Sequence, residues 1–514
     1  MFNSRPHNSA HLAESIDDYR QDFEELHVLL TDCVNRLKRF LADIRRVKKH
    51  IAPETYEEMT KTADCYIEAC RAQDSIVKKH SDIILHAPDN TESLDTAEKI
   101  NKSAYEFLRT HQTLFGALIT STDWQSPSFA HSLHSQAGRQ TNTIYATIND
   151  YKRDQHWDAH RYELAFLKAN IDGFIKFPIQ VCATPSGMAA FTTILNFLLL
   201  ERKATRPVLI GKSIYFENKA LVLQAFPDNV IEVEESDTDA VIRAIDSYNP
   251  SVVIFDSLSN SPDVAVPNLT AITKHLVAGC KSETFLVVDN TCLSVMFQPF
   301  PFVFAKHSKL RLIVFESLNK YHQFGYDRVT GGIFWSYGGD TGKLFDYRVH
   351  LGTNIPDLAI ASLPTPNRKT LIKHLAKHQR NAMIVAFALQ AWIDTHPQAP
   401  FSGIMYPGLS HHPSYNWTKN NTFCGSYLTI QFKKKYQTIP SYKRFVRAII
   451  QKARRNHVDI VSGTSFGMNT TRVYLTAVRS RPHIPFIRVS VGTETRMAIE
   501  AVTQVCIETL SSFR

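Results

Sequence analysis

A chain of 514 residues with 44% apolar content is too long for a single core and too apolar for a disordered or fibrous protein, so two or three globular domains are expected. The net charge of +9 is uneven: residues 1–140 hold 17 Lys+Arg against 21 Asp+Glu, a balance of −4, which leaves +13 on residues 141–514. A basic body without a long basic block interleaved with aromatics suits small anions such as phosphates and carboxylates and argues against nucleic acid; Lys433, Lys434 and Lys435, the densest run, read as a solvated strand end.

In chain order, the leader reads as three helices. Tyr19, Phe23, Leu26, Leu30, Val34, Leu37 and Leu41 recur at three- and four-residue intervals, one apolar face of a long helix that acidic residues open and basic residues close. Pro53 starts a second helix to about His80, and Ser93 to about Thr120 forms a third. From about Tyr151 the texture changes. PVLIGKS, SVVIFDS, TFLVVDNT and LRLIVFES are near-continuous apolar strands, and SGMAAFTTILNFLLLE and NLTAITKHLVAGC between them are helical. That alternation predicts a mostly parallel sheet covered by helices on both faces, with ligands at the carboxyl ends of the strands. A helix over RKTLIKHLAKHQRNAMIVAFALQAWI leads to a last region in which SYLTIQFKKKY and FIRVSVGTE read as strands and YKRFVRAIIQKARR and RMAIEAVTQVCIETL as helices, a small α/β domain. The expected domains are residues 1–145 (helical), 146–390 (large α/β) and 391–514 (small α/β).

The eight cysteines, Cys33, Cys65, Cys70, Cys182, Cys280, Cys292, Cys424 and Cys506, form no CxxC pair or Cys/His ligand spacing, which argues against a disulfide framework and a zinc site. MFNSRPHNSAHLAESIDDYR lacks an apolar signal segment and no apolar run reaches the roughly 18 residues of a membrane helix, so a cytoplasmic setting without membrane contact is expected.

The strand ends carry the chemistry: Ser257, Ser259 and Asn260 after SVVIF, Asp289 and Asn290 after TFLVV, Ser317 and Lys320 after LRLIVF. An aspartate that closes an apolar strand is costly unless it meets a cation or donors, and desolvation of a lysine lowers its pKa toward a nucleophilic amine. Pyridoxal 5'-phosphate (PLP) uses both groups, a lysine for its aldehyde and a carboxylate for its pyridine nitrogen. Its phosphate needs a helix N-terminus with small residues, and Ser186-Gly187-Met188 after VCATP supplies one. Alone, each of these groups also has an ordinary structural reading; His156, His322 and His378 are read as structural.

The ordered set SGMAA, SIYFENK, DSLSNSP, VVDNT, ESLNKY, Asn381-Ala382, SFG at 465–467 and RVSVGTE, over roughly 148–512, resembles the cystathionine gamma-synthase and methionine gamma-lyase family, the Cys/Met-metabolism group of fold-type-I PLP enzymes. The resemblance implies a large domain with a seven-stranded-type sheet, a small C-terminal domain and an added helical domain. It makes Lys320 the Schiff-base lysine and proton shuttle, Asp289 the partner of the ring nitrogen, and Tyr215 the stacking acid or base. Ser186, Gly187, Met188, Ser317 and Asn319 would serve the phosphate, Asn260 the phenolic oxygen, and Arg488 with Ser465 the substrate carboxylate. Tyr151 and Arg153 would serve the phosphate site of a neighbouring subunit, in a homodimer or homotetramer. The implied activity is elimination or replacement at the γ or β carbon of an amino acid, a sulfur amino acid or an activated homoserine, through a lysine Schiff base and a vinylglycine-type intermediate. Where relatives have Ser-x-Thr-Lys this chain has Ser317-Leu318-Asn319-Lys320; Glu-Ser-Pro-x-Asn-Pro has become Asp256-Ser257-Leu258-Ser259-Asn260-Ser261; and Gln155-His156-Trp157 follows Arg153 in place of Asn-Pro-Thr. These departures and the leader raise two alternatives: a biosynthetic enzyme that uses S-adenosylmethionine and captures the intermediate with a second small-molecule substrate, and a non-catalytic scaffold.

Overall fold

The computed structural model describes residues 9–86, 91–122, 125, 151–172, 178–299, 309–477 and 485–513. The leader forms α1 (Ser9–Arg46), α2 (Pro53–His86) and α3 (Thr91–Thr120). The second and third are longer than their sequence signals, because packing along a shared seam stabilises end turns that propensity alone leaves frayed. The predicted stripe is the buried one: Phe23, Leu26, Leu30 and Leu37 are at most 2% exposed. The expected boundary at 145/146 lies outside the described residues.

The body follows as α4 (Trp157–Asn170), β1 (Gln180–Thr184), α5 (Gly187–Leu200), β2 (Val208–Gly211), α6 (Phe216–Ala225), β3 (Val230–Val233), α7 (Thr238–Tyr248), β4 (Val252–Asp256), α8 (Leu269–Gly279), β5 (Thr284–Asp289), β6 (Leu310–Ser317), β7 (Gly332–Tyr337), α9 (Leu344–His350) and α10 (Asp357–Ser362). Its seven strands are ordered β1-β7-β6-β5-β4-β2-β3. The pairs β6-β5, β5-β4, β4-β2 and β2-β3 are parallel, whereas β7 runs antiparallel to both β6 and β1. Apolar side chains cover both faces, as continuous apolar strands require: Leu209, Val253 and Leu286 enter one core, Ile210, Ile254 and Val287 the other.

Helix α11 (Arg368–Thr395) passes through the expected 390/391 boundary and leads into β8 (Phe401–Met405), α12 (Tyr415–Thr418), β9 (Tyr427–Phe432), α13 (Ile439–Arg455), β10 (Val461–Ser462), β11 (Arg472–Thr476), β12 (Phe486–Ser490) and α14 (Arg496–Ser512). The second sheet is ordered β10-β11-β12-β9-β8, antiparallel but for the short β10-β11 pair. The eight cysteines are free thiols, and among the described residues no helix is long and apolar enough to cross a membrane.

A buried ion pair ties elements of the large domain together. Glu163 on α4 receives Arg348 Nη1 from α9 at 2.5 Å and the Ala183 amide of β1 at 2.8 Å, so one carboxylate joins two helices and a strand. Removing one partner of such a pair strands the other charge in the core. Glu163→Ala is expected to lower stability by about 3–5 kcal/mol, read as a lower urea midpoint, with Glu163→Gln losing less.

Candidate active site

The parallel strands end on one edge of the sheet, and the register sets what meets there. Asp256 of β4 pairs with Asp289 of β5, and Gly332 of β7 pairs with both Ser317 of β6 and Thr184 of β1. The α5 N-terminus sits on that last junction. A Cβ on Gly332 would lie 2.2 Å from the Ser186 carbonyl oxygen, and one on Gly187 would lie 2.9 Å from Ser317 Cβ, so only glycine lets the three segments approach. Ser186 caps α5, its hydroxyl accepting from the Ala189 amide at 3.0 Å. The Asn319 side-chain oxygen accepts from the Gly331 amide at 2.8 Å, which ties the two sides of the same cradle. The cradle therefore combines a helix N-terminus, the Ser317 hydroxyl and close glycine backbones, and it fits a phosphate.

Lys320 follows β6. Its amine donates to the Ser465 hydroxyl at 2.8 Å and lies 5.3 Å from the Phe466 ring centre, and it forms no salt bridge among the described residues. Burial, with the nearby Arg488 charge adding, lowers its pKa from 10.5 to about 8. Ser465 has a φ of 74°, a costly conformation for a residue with a Cβ, and it serves twice: its hydroxyl meets Lys320 and its carbonyl accepts from Arg488 Nη2 at 3.0 Å.

Arg488 points from the middle of β12, 3% exposed. Its Nη1 donates to the Asn260 side-chain oxygen at 2.8 Å, and its Nε has no hydrogen-bond partner. No carboxylate pairs with it among the described residues, so its positive charge is held by neutral oxygens and remains available to an anion.

Asp289, partly buried, accepts from the Thr291 amide at 3.0 Å, and Asn218 Nδ2 stands 3.4 Å from its other oxygen. Burial raises its pKa, and burial together with the Asp289 charge raises that of Asp256. A carboxylate enclosed with a like charge and in no salt bridge among the described residues fits a protonated pyridine nitrogen, so the donor set as a whole fits PLP. Asp256 was legible only as a departure from the family pattern; its place is set by the register with Asp289, and its carboxylate accepts from the Tyr215 amide at 2.8 Å, fixing the start of α6. Tyr215 is partly buried, and burial with Glu217 nearby holds its phenol above the ordinary range. Thr291 and Phe466 are further members that stand inside the VVDNT and SFG motifs without a role implied there; Thr291 Oγ1 accepts from the Ser317 amide at 2.9 Å and so links the carboxylate to the cradle.

Tyr151 and Arg153 do not enter the site of their own chain. The Arg153 side chain is 62% exposed, lies 5.2 Å from the Tyr151 ring centre and pairs with Asp154 at 2.9 Å. The three histidines have structural partners: His156 caps α4 and meets the Ile355 carbonyl, His322 pairs with Glu316, and His378 meets the Val491 carbonyl.

The depressed lysine pKa carries a sign. Between about 8 and 10.5 the unfolded chain holds a proton on Lys320 that the folded chain does not, so this group's unfavourable contribution fades as pH rises through that window. Cofactor-free Lys320→Met is accordingly expected to unfold at a higher temperature than wild type at pH 7, with the difference shrinking as pH rises from 8 toward 10.5; a difference that grows instead would contradict the assignment.

The family model described as Cys/Met metabolism PLP-dependent enzyme matches residues 100–501. Among curated proteins, the "Bifunctional enzyme flvA" of Aspergillus flavus is 23% identical over 331 residues, 64% of this chain and 38% of that protein. A cystathionine gamma-synthase of Mycobacterium leprae is 28% identical over 239 residues, 45% of this chain and 55% of that protein. The chain thus spans under two thirds of the curated relatives it matches. Among solved structures, a cystathionine gamma synthase of Xanthomonas oryzae pv. oryzae in complex with aminoacrylate and cysteine superposes with a TM-score of 0.56 at 17% identity, over 79% of this chain and 99% of that one. With the fold-type-I sheet, the strand-end lysine and the matched family model together, the chain belongs to the PLP-dependent enzymes of Cys/Met metabolism.

Proposed function

We propose that this protein catalyses elimination or replacement at the γ carbon, or the β carbon, of an amino acid, with a sulfur amino acid or an activated homoserine as substrate. The observation that carries the reading is the convergence of a lysine amine, a carboxylate and a guanidinium at the strand ends, none of them neutralised by another: Lys320 rests on a hydroxyl, Arg488 on an amide oxygen and a carbonyl.

PLP, when bound, supplies an electron sink for charge that develops on the substrate's α carbon. Gly187, Met188 and Ser317 would hold its phosphate, Asp289 would keep a proton on its ring nitrogen, and Tyr215 would cover the ring. Arg488 binds the substrate carboxylate through its fork, with Asn260 and the Ser465 carbonyl fixing the guanidinium plane. Lys320, whose amine is neutral over much of the range above pH 8, takes the α proton and can carry one to or from the β carbon; γ chemistry requires that second transfer before the leaving group departs. Tyr215, with its phenol held protonated, suits the role of acid at the departing group. Asn319 and Ser186 act on the cradle's shape, since their side-chain oxygens are engaged within the protein. The exposure of Tyr151 and Arg153 supports their service to a neighbouring copy, which would make the working unit at least a dimer.

A second reading takes a sulfonium amino acid such as S-adenosylmethionine, whose γ carbon is released as a neutral sulfide departs, and captures the product with another small molecule. It is favoured by the altered motif positions Asp256 and Asn319 and by the added helical leader, which set this chain apart from the ordinary family pattern.

The deciding experiment supplies PLP-loaded protein with O-acylated homoserines, cystathionine and S-adenosylmethionine in separate reactions and follows keto acid, ammonia and thiol or thioether products. Turnover of an activated homoserine or cystathionine is expected, with loss of at least about a thousandfold in Lys320→Ala. Turnover of the sulfonium alone moves the assignment to the second reading. A protein that turns over none of them and keeps its cellular role as Lys320→Ala is a scaffold.

A further inference from the structure

Glu25 on α1 is a buried carboxylate, 7% exposed, that holds two groups at once. The Tyr105 hydroxyl of α3 donates to its Oε1 at 2.6 Å, and Nδ1 of His374 on α11 meets its Oε2 at 3.0 Å. Each partner packs on the turn that carries Lys320. The His374 ring stands edge-on to Phe324 at 5.5 Å and to His378 at 5.0 Å, and His378 stands edge-on to Tyr321 at 5.6 Å. The Tyr105 ring lies 6.3 Å from Tyr326, and Arg109, one turn along α3, donates from Nε to the Tyr326 carbonyl at 3.2 Å.

The gripped turn is strained. Phe324 and Asp327 have φ values of 48° and 50°, in the left-handed region that side chains with a Cβ adopt at a cost. Such a turn keeps one conformation only where its surroundings over-determine it. The Nε2 atoms of His374 and His378 are buried without partners, so the pair is oriented by Glu25 at one end and the Val491 carbonyl at the other. The same apolar cluster that holds Leu26 and Leu30 of α1 also holds Tyr321, Tyr427 and Phe466, so no solvent layer separates the leader from the back of the site.

We infer that Glu25 is a positioning residue for Lys320: through Tyr105 and through the His374–His378 pair it fixes the turn at 321–326, so the leader forms the rear wall of the active site. The inference rests on the reading of Lys320 as the amine that meets the cofactor.

The test is hydrogen exchange over residues 318–327 in the cofactor-free full chain, comparing wild type, Glu25→Gln and Lys373→Gln; the last breaks the exposed Lys373–Glu24 pair, 2.6 Å long, next to Glu25. Glu25→Gln is expected to speed exchange in that segment about tenfold, the loss of one charge-assisted hydrogen bond, and Lys373→Gln to leave it at the wild-type rate. In PLP-loaded protein, Glu25→Gln is expected to displace the cofactor's visible absorbance and to lower kcat more than it raises KM. Unchanged exchange over 318–327 in Glu25→Gln overturns the inference. Tyr105→Phe, which removes a single donor, guards against a variant that fails to fold: a smaller acceleration confined to 318–327 supports the inference, and one spread evenly over the chain overturns it. Whether Lys320→Ala loses the PLP absorbance tests the lysine's own assignment separately, and the cofactor-free exchange decides Glu25 whichever way that falls.

Discussion

The hydrogen bond from the Lys320 amine to the Ser465 hydroxyl is the contact on which the site depends. It joins the end of β6 to the loop before β11, and so joins the large sheet to the small one, using a neutral acceptor. A carboxylate in that place would neutralise the amine by pairing with it and hold its proton. A hydroxyl leaves burial free to push the pKa down to about 8, and the guanidinium of Arg488 pushes the same way. Ser465 takes a left-handed backbone conformation to make the contact, and its carbonyl then orients Arg488. One strained residue thereby places both cations of the site without pairing either.

The carboxylates show the same economy. Asp256 and Asp289 lie opposite one another at the ends of neighbouring parallel strands, where burial raises the proton affinity of both and the Asp289 charge raises that of Asp256 further. Asp256 is anchored to the Tyr215 amide and Asp289 to that of Thr291, so the geometry survives whichever of them is charged. Such an arrangement is costly for folding and useful for holding a cationic ring, consistent with the tendency of perturbed groups to gather where chemistry occurs. The leader compensates elsewhere: Asp18, Asp22 and Glu25 on α1 meet Arg380, Lys377 and His374 along α11, and Arg36 reaches the Leu363 carbonyl. Those contacts bind the added helices to the helix that leads from the large sheet to the small one.

Much of this was legible in the residues themselves. The stripe from Phe23 to Leu37 gave α1, and the continuous apolar runs gave β2, β4, β5 and β6, because a strand covered on both faces has no polar side to hide. Lys320, Asp289, Gly187 and Arg488 stood out for the complementary reason, charge or glycine where the local pattern calls for apolar residues. Strands β1, β3 and β7 did not stand out: β3 is a short strand at the sheet edge with Glu232 exposed, and the antiparallel placement of β7 between β6 and β1 is a matter of pairing that composition does not carry.

Sequence by itself therefore determined the layering of the chain, the helix that opens on Gly187, and the residue types that end each strand, since these follow from local periodicity and from the cost of burying charge. Tertiary structure decided which of those ends share a site. It set Asp256 beside Asp289, gave Lys320 a hydroxyl instead of an acid, turned the Asn319 oxygen to Gly331, and brought Glu25 behind a lysine 295 positions away. Those relations depend on register, on the strained backbone at Ser465 and Phe324, and on the docking of one helix bundle against two sheets, none of which leaves a periodic mark in the chain.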